Sequence, residues 1–164
     1  MTTTYIPTCL ADPVHGHVAG YGALDVETGL FLAAPRGGDT VTTVAFAGTR
    51  GVERHRGHLA LSGRAISQLL RFLSERDLVA MAQIHSHRGP AGLSRTDLAH
   101  GFSVEGFTSA VIPYYRQPAH DPQTWGWWRY RDRHWRPADP FQLTTATPAT
   151  TVVTFDEDGI HAAR

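Results

Sequence analysis

The stretch Gln83-Ile84-His85-Ser86-His87-Arg88-Gly89-Pro90-Ala91-Gly92-Leu93-Ser94-Arg95-Thr96-Asp97 brings two imidazoles, a hydroxyl and a carboxylate into fifteen positions. Residues 78–84 (Leu-Val-Ala-Met-Ala-Gln-Ile) read as a buried strand. If His85 and His87 continue it in extended form, the period of two turns both rings to one face. A turn containing Gly89, Pro90 and Gly92 follows, and Ser94 then opens a helix with Asp97 in its first turn, where a carboxylate can face back toward the histidines. Two neutral histidines and a carboxylate are the donor set that holds a catalytic zinc while leaving a fourth position for water. Closed structural zinc sites usually take four protein ligands, often cysteines, and the single cysteine here, Cys9, lies far from this segment.

Each half of the stretch also has an ordinary explanation. Ser94-x-x-Asp97 resembles a capping box that satisfies helix N-terminal amides, and an isolated His-x-His at a strand end is more often structural than ligating. The combination, joined by a glycine-rich turn, favours a metal site. A metal-bound water at such a site needs a base to take its proton. Glu27, at the start of an apolar run, is the best-placed carboxylate. Glu53, in a charged loop, and Glu75, on the polar side of a helix, are its competitors.

His85-Ser86-His87, six residues, then Ser94-x-x-Asp97 resembles the JAMM motif of the JAB/MPN metalloproteases. Those proteins carry a further glutamate upstream in a Glu-x-Gly context, which Glu27-Thr28-Gly29, followed by Leu30-Phe31-Leu32, matches. The spacer after His87 is one residue shorter than the usual pattern, and Arg88 stands where a proline usually follows. The resemblance covers roughly residues 20–135 of what reads as one domain, and leaves the last thirty residues outside it. It implies an MPN/JAB-like, cytidine-deaminase-like α/β fold with a mixed sheet packed by helices. It also implies Zn2+ held by His85, His87 and Asp97, Glu27 as general base and then acid, and Ser94 as donor to the oxyanion, a contact worth on the order of 3 kcal/mol.

At 164 residues the chain is long enough to bury a core without staples. Lys plus Arg equals 15 and Asp plus Glu equals 15, so no net charge points to nucleic acid or an anionic membrane. With one cysteine no intrachain disulfide forms, and the start Met1-Thr-Thr-Thr-Tyr-Ile-Pro has neither a signal peptide's basic segment nor its apolar run; a cytoplasmic protein is the expectation. Of ten histidines only His85 and His87 stand in a clear ligand spacing; His15 and His17, among Gly and Pro, read as loop decoration.

Residues 1–20, with Pro7, Pro13, Gly16 and Gly20, suggest an irregular arm or edge strand with a short helical turn. Residues 27–34 and 41–47 read as a hairpin about the turn Pro35-Arg36-Gly37-Gly38-Asp39. The basic segment 48–60, with His55 and His58, reads as a solvated connection, or else as a lip of the substrate groove. Ser62 caps a helix over about 62–76 whose apolar face is Ala65, Ile66, Leu69, Leu70 and Leu73. Beyond Asp97 a short helix to about Phe102, a strand at 107–113 and a two-sided aromatic strand from Trp125 follow, the last offering Trp128 or Trp135 for packing. Residues 137–148 form a connector, and the tail supplies a last strand and turn. The whole reads as an α/β sandwich with a mixed sheet.

The resemblance implies an isopeptidase acting at the C-terminus of a ubiquitin-like protein or its conjugate, in deconjugation or precursor processing. An Ala-, Gly-, Arg- and Pro-rich composition suggests a bacterial source, where such enzymes work beside E1-like and E2-like proteins, including in antiphage systems. A single ubiquitin-like tail ending in small residues, added as a strand beside the site, is the mode expected of so short a chain. The alternatives are a JAMM peptidase acting on a sulfur-carrier adduct or small peptide, a non-catalytic MPN scaffold, and a DNA-repair-associated member of the fold. Balanced charge disfavours the last, and retention of all five site residues disfavours the scaffold.

Overall fold

A computed structural model of the chain describes residues 2–163. Tyr5–Pro7 (β1) leads into Thr8–Ala23 (α1), followed by Gly29–Pro35 (β2), Thr43–Ala47 (β3), and the short strands Val52–His55 (β4) and His58–Leu61 (β5). Gly63–Glu75 (α2), Leu78–Ser86 (β6), Arg95–His100 (α3) and Thr108–Ile112 (β7) form the middle of the chain. Gly126–Arg131 (β8), His134–Pro137 (β9), Gln142–Thr144 (β10), Thr151–Asp156 (β11) and Gly159–Ala162 (β12) complete it.

Eight strands form one mixed sheet in the order β12-β11-β3-β2-β6-β7-β8-β9. The β3/β11 and β6/β7 pairs run parallel and the other neighbours antiparallel. Alternation along the central strands sorts side chains between two cores. Leu30, Leu32, Val44, Ile84 and Ile112 pack beneath α1, whereas Phe31, Ala33, Ala45 and Phe155 pack beneath α2. Central strands covered on both faces read as continuous apolar runs, as Leu30-Phe31-Leu32-Ala33-Ala34 does.

Several sequence expectations are corrected. The N-terminal arm is a sixteen-residue helix: Leu10, Val14 and Val18, spaced four apart, bury one stripe against the sheet, and that packing overrides Pro13 inside the helix. His17 is therefore no loop decoration. Its ring stacks on Phe46 at 4.2 Å, and Nε2 lies 2.8 Å from Thr28 Oγ1. Burial, with Arg54 nearby, pushes its pKa down to about 3. Segment 48–60 is not an irregular connection but the β4–β5 hairpin, tied to the sheet by Arg54, which donates to the carbonyls of Ala47 and Gly48.

On α2, Ser62 caps Ala65 as expected, but the stripe runs through Ala65, Leu69, Phe72 and Leu73; Leu70 is 54% exposed. In the aromatic strand Trp125 and Trp127 are the core residues rather than Trp128 or Trp135. The connector contains β10, which pairs with β1, and the tail contributes two strands, β11 inserting beside β3.

Two glycines set distances that matter to the site. A methyl at Gly22 would overlap the Tyr115 carbonyl, so its absence lets the end of α1 rest on the backbone that follows β7. A Cβ at Gly29 would lie 2.6 Å from a Leu59 methyl and 3.2 Å from the Ile84 carbonyl, so glycine there lets the hairpin close over β2.

Candidate metal centre

The β2/β6 register assembles the site. Gly29 pairs with His85 and Leu30 with Ile84, so the chain one step further out sets Thr28 against Ser86 and Glu27 beside His87. Hydrogen bonds continue the pairing past the end of β2: Ser86 N donates to the Thr28 carbonyl at 3.0 Å, and Thr28 N donates to Ser86 Oγ at 3.0 Å. Glu27 N donates to the His55 carbonyl of the hairpin at 2.9 Å. On the other side, His87 N donates to the Ile112 carbonyl at 2.9 Å, which keeps the chain extended one residue beyond β6. The period of two then gives both imidazoles one face, as expected from the sequence.

Ser94 and Asp97 form a full capping box at the start of α3. Ser94 Oγ accepts from Asp97 N at 3.1 Å, and Asp97 Oδ2 accepts from Ser94 N at 2.7 Å. The same carboxylate meets both rings: Oδ1 is 3.2 Å from His85 Nε2, and Oδ2 is 3.3 Å from His87 Nε2. Asp97 thus caps α3 while its carboxylate faces both imidazoles. The shorter turn still delivers the carboxylate, while Arg88, in the proline's place, turns outward with Arg56 and Arg116 around Asp25. Ser94 enters the site through Asp97, its hydroxyl accepting as a cap and keeping its own proton to donate.

His85 Nε2 and His87 Nε2 stand 3.0 Å apart. Two such nitrogens facing each other with a carboxylate across them direct lone pairs at one point, and ligands 2.0–2.1 Å from a tetrahedral ion stand about 3.3 Å apart. The residues therefore fit a single metal ion, and among the described residues this trio is the group of His, Cys, Asp and Glu side chains able to hold one. The His87 ring also bonds the Pro90 backbone, the kind of outer contact that fixes a ligating imidazole.

The electrostatics follow from burial and mutual contact. Asp97 is held well below the usual carboxylate range: burial pushes it up, but hydrogen bonds from His85, His87 and the Ser94 backbone outweigh that. Burial alone would lower His87, yet Asp97 and Glu27 beside it raise it. Glu27, only 4% exposed, is pushed up to about 7, chiefly by burial, with His87 opposing and Asp97 adding to the rise. Its Oε1 lies 4.0 Å from His87 Nε2, close enough to share a small molecule held at the trio but not placed as a fourth ligand. Glu53 and Glu75, its competitors, are exposed, and neither belongs to the His85-His87-Asp97 group.

Further participants emerge only in three dimensions. Thr28 and Ser86 lock Glu27 to the histidines; each lies inside a motif legible in the sequence, but its role depends on the register. Gln83 and Trp135 line a cavity of about 390 Å3 that adjoins His85 and Asp97. Gln83 carries a sequence signal, a polar residue two before His85 in an apolar strand, whereas Trp135 carries none.

An eight-stranded mixed sheet between helices, with a His-His-carboxylate cluster at the β2/β6 strand ends, is the JAB/MPN fold. Three solved structures are similar to this chain over most of its length. A protein from Desulfitobacterium hafniense is 16% identical with a TM-score of 0.66, covering 87% of this chain and 94% of its own. A protein from Salinibacter ruber is 22% identical with a TM-score of 0.57, covering 88% and 95%. A JAB1/MPN domain protein from Archaeoglobus fulgidus is 14% identical with a TM-score of 0.50, covering 88% and 100%. At these identities the likeness is one of fold. No family model matches the chain, and no curated protein does. Among the described residues no helix is long and apolar enough to cross a membrane.

Proposed function

We propose that the protein is a zinc-dependent hydrolase of amide bonds, acting as an isopeptidase or peptidase at the C-terminus of a ubiquitin-like protein. The observation that carries the reading is the register that sets Glu27 beside a His85-His87-Asp97 trio whose donor atoms face one point. Zinc bound by the trio supplies Lewis acidity and makes water nucleophilic near neutral pH. Glu27, with a carboxyl near pH 7, takes the water's proton on Oε1 and hands it to the leaving amine nitrogen. Its burial keeps that proton from bulk solvent. The Ser94 hydroxyl donates to the oxyanion while its oxygen still caps α3.

The choice of a ubiquitin-like substrate, with E1-like and E2-like partners in a bacterial pathway, rests on the motif resemblance. Elemental analysis of the purified chain, with Glu27→Ala and His85→Ala, tests the chemistry. About one zinc per chain is expected in the unmodified protein and in Glu27→Ala, and little in His85→Ala. Cleavage of a ubiquitin-like fusion disappears in both variants. Absence of zinc after reloading the unmodified chain would overturn the reading in favour of a scaffold.

A further inference from the structure

The cavity beside the trio has a lining that does not suit a tail of bare glycines. Leu59, Leu61, Ile66, Leu93 and Phe102 give it apolar walls, and its volume of about 390 Å3 falls at the small-ligand end of binding pockets. No lysine or arginine lines it, its basic groups being the imidazoles of His58, His85 and His100, and its one carboxylate is Asp97 of the trio. Among the described residues three buried side-chain atoms lack a hydrogen-bond partner: Gln83 Oε1, Trp135 Nε1 and His85 Nδ1. All three belong to residues lining this cavity. The trio takes His85 through Nε2, so its unpaired Nδ1 lies on the ring's other side; the indole and the carboxamide belong to residues outside the trio.

Buried polar atoms are ordinarily paired, with protein or with ordered water, and an unpaired donor and acceptor on one cavity are where a bound group can complete the pairing. An indole N–H only donates, and a carboxamide oxygen only accepts. A peptide group brings both counterparts, a carbonyl for Trp135 and an N–H for Gln83. The Trp135 indole is fixed in position by its neighbours. Its ring packs over Gly101, where a Cβ would lie 3.4 Å from it, and meets Tyr130 edge-on at 5.3 Å.

Resting on the amide-hydrolase reading, we infer that this cavity is a specificity pocket. It takes an uncharged, leucine-sized apolar residue flanking the scissile bond, whose peptide group bonds Gln83 and Trp135. A glycine there brings no side-chain carbon to the walls, and a charged side chain gives up its hydration against Leu59, Leu61, Ile66, Leu93 and Phe102.

The probes are N-acetyl-leucine, N-acetyl-glycine and N-acetyl-glutamate methylamides, titrated into the full chain. The readout is the Trp135 indole N–H signal by NMR, assigned from its loss in Trp135→Phe. The leucine probe shifts that signal saturably and binds at least about tenfold more tightly than the other two, and Gln83→Leu weakens it by a similar factor. Equal binding of the leucine and glycine probes, or no shift at Trp135, overturns the inference; these comparisons need no variant should Gln83→Leu fail to fold. The underlying reading fails differently. Selective leucine binding with no hydrolysis of any leucine-bearing fusion would sink the hydrolase and leave the pocket, whereas hydrolysis indifferent to leucine or glycine would sink the pocket and leave the hydrolase.

Discussion

Asp97 has two roles that a pair of substitutions can separate. Its Oδ2 caps α3 by accepting from Ser94 N at 2.7 Å, while the carboxylate faces both imidazoles at 3.2 and 3.3 Å. In Asp97→Asn the amide oxygen still accepts from Ser94 N, so the cap survives but the anionic ligand is lost. In Ser94→Ala the carboxylate remains but the hydroxyl that accepts from Asp97 N at 3.1 Å is gone. Loss of that cap costs about 1 kcal/mol, or roughly 2–4 °C in melting temperature for a domain of this size. Zinc at a hundredfold excess over its Kd stabilises the native chain by about 2.7 kcal/mol, a rise of roughly 5–10 °C. Melting followed by circular dichroism, with and without zinc, therefore gives distinct patterns. Ser94→Ala starts lower and keeps most of the zinc-dependent rise; Asp97→Asn keeps the fold and loses the rise. A full rise in Asp97→Asn, or its complete loss in Ser94→Ala alone, would refute the assignment of the carboxylate as ligand and the hydroxyl as cap.

Glu27→Gln retains zinc but lowers the rate of amide cleavage by about 10²–10⁴, measured on a fusion substrate, because the base is removed without touching the trio. Ser86→Ala strands the buried Thr28 N–H, which donates to Ser86 Oγ at 3.0 Å, and destabilises by about 1–3 kcal/mol in urea unfolding. Gly22→Ala drives a methyl into the Tyr115 carbonyl and costs at least about 1–3 kcal/mol by the same measurement. His17 has a folded pKa near 3 against an ordinary 6.5, so the unfolded chain binds more protons between those values and stability falls as pH drops through that window. Lowering pH from 7 to 5 removes about 2 kcal/mol through this group alone, a loss seen by comparing unfolding of the unmodified chain with His17→Gln, whose curve lacks that part of the slope.

What the sequence makes legible is local. Residues 83–97 carry the strand, the turn, the capped helix and three donors within one short span, so the meeting of the rings and the carboxylate is legible there, although bonds to Thr28 and Ile112 hold the extended segment in place. The hairpin at 29–47 and the helix at 63–75 are equally plain, since continuous apolar runs, turn residues and an N-cap lie next to one another in the chain. What stays hidden depends on distant partners. Pro13, Gly16 and Gly20 argue against a helix in isolation, and α1 forms because Leu10, Val14 and Val18 find Leu30, Val44 and Ile84 beneath them. His17 looks idle in the sequence because Thr28 and Phe46, which occupy its ring, come from other elements. Trp135 gives no sign of its place at the cavity, which depends on β9 joining the sheet through β8.

The placing of Glu27 is the instructive case, because its motif is plain in the sequence while its geometry is not. Thr28 and Ser86 stand fifty-eight positions apart in the chain, yet their three mutual hydrogen bonds fix Glu27 beside His87. A strand shifted by one residue turns every side chain to the opposite face. Such a slip would carry Glu27 to the α1 side and leave the trio whole without its neighbouring carboxyl. Burial of Leu30 and Leu32 under α1 and of Phe31 and Ala33 under α2 forbids it, because the slip would exchange each of these between two differently shaped cores. The apolar run after Glu-x-Gly therefore does more than build a strand: the packing of both cores is what aims Glu27 at the trio.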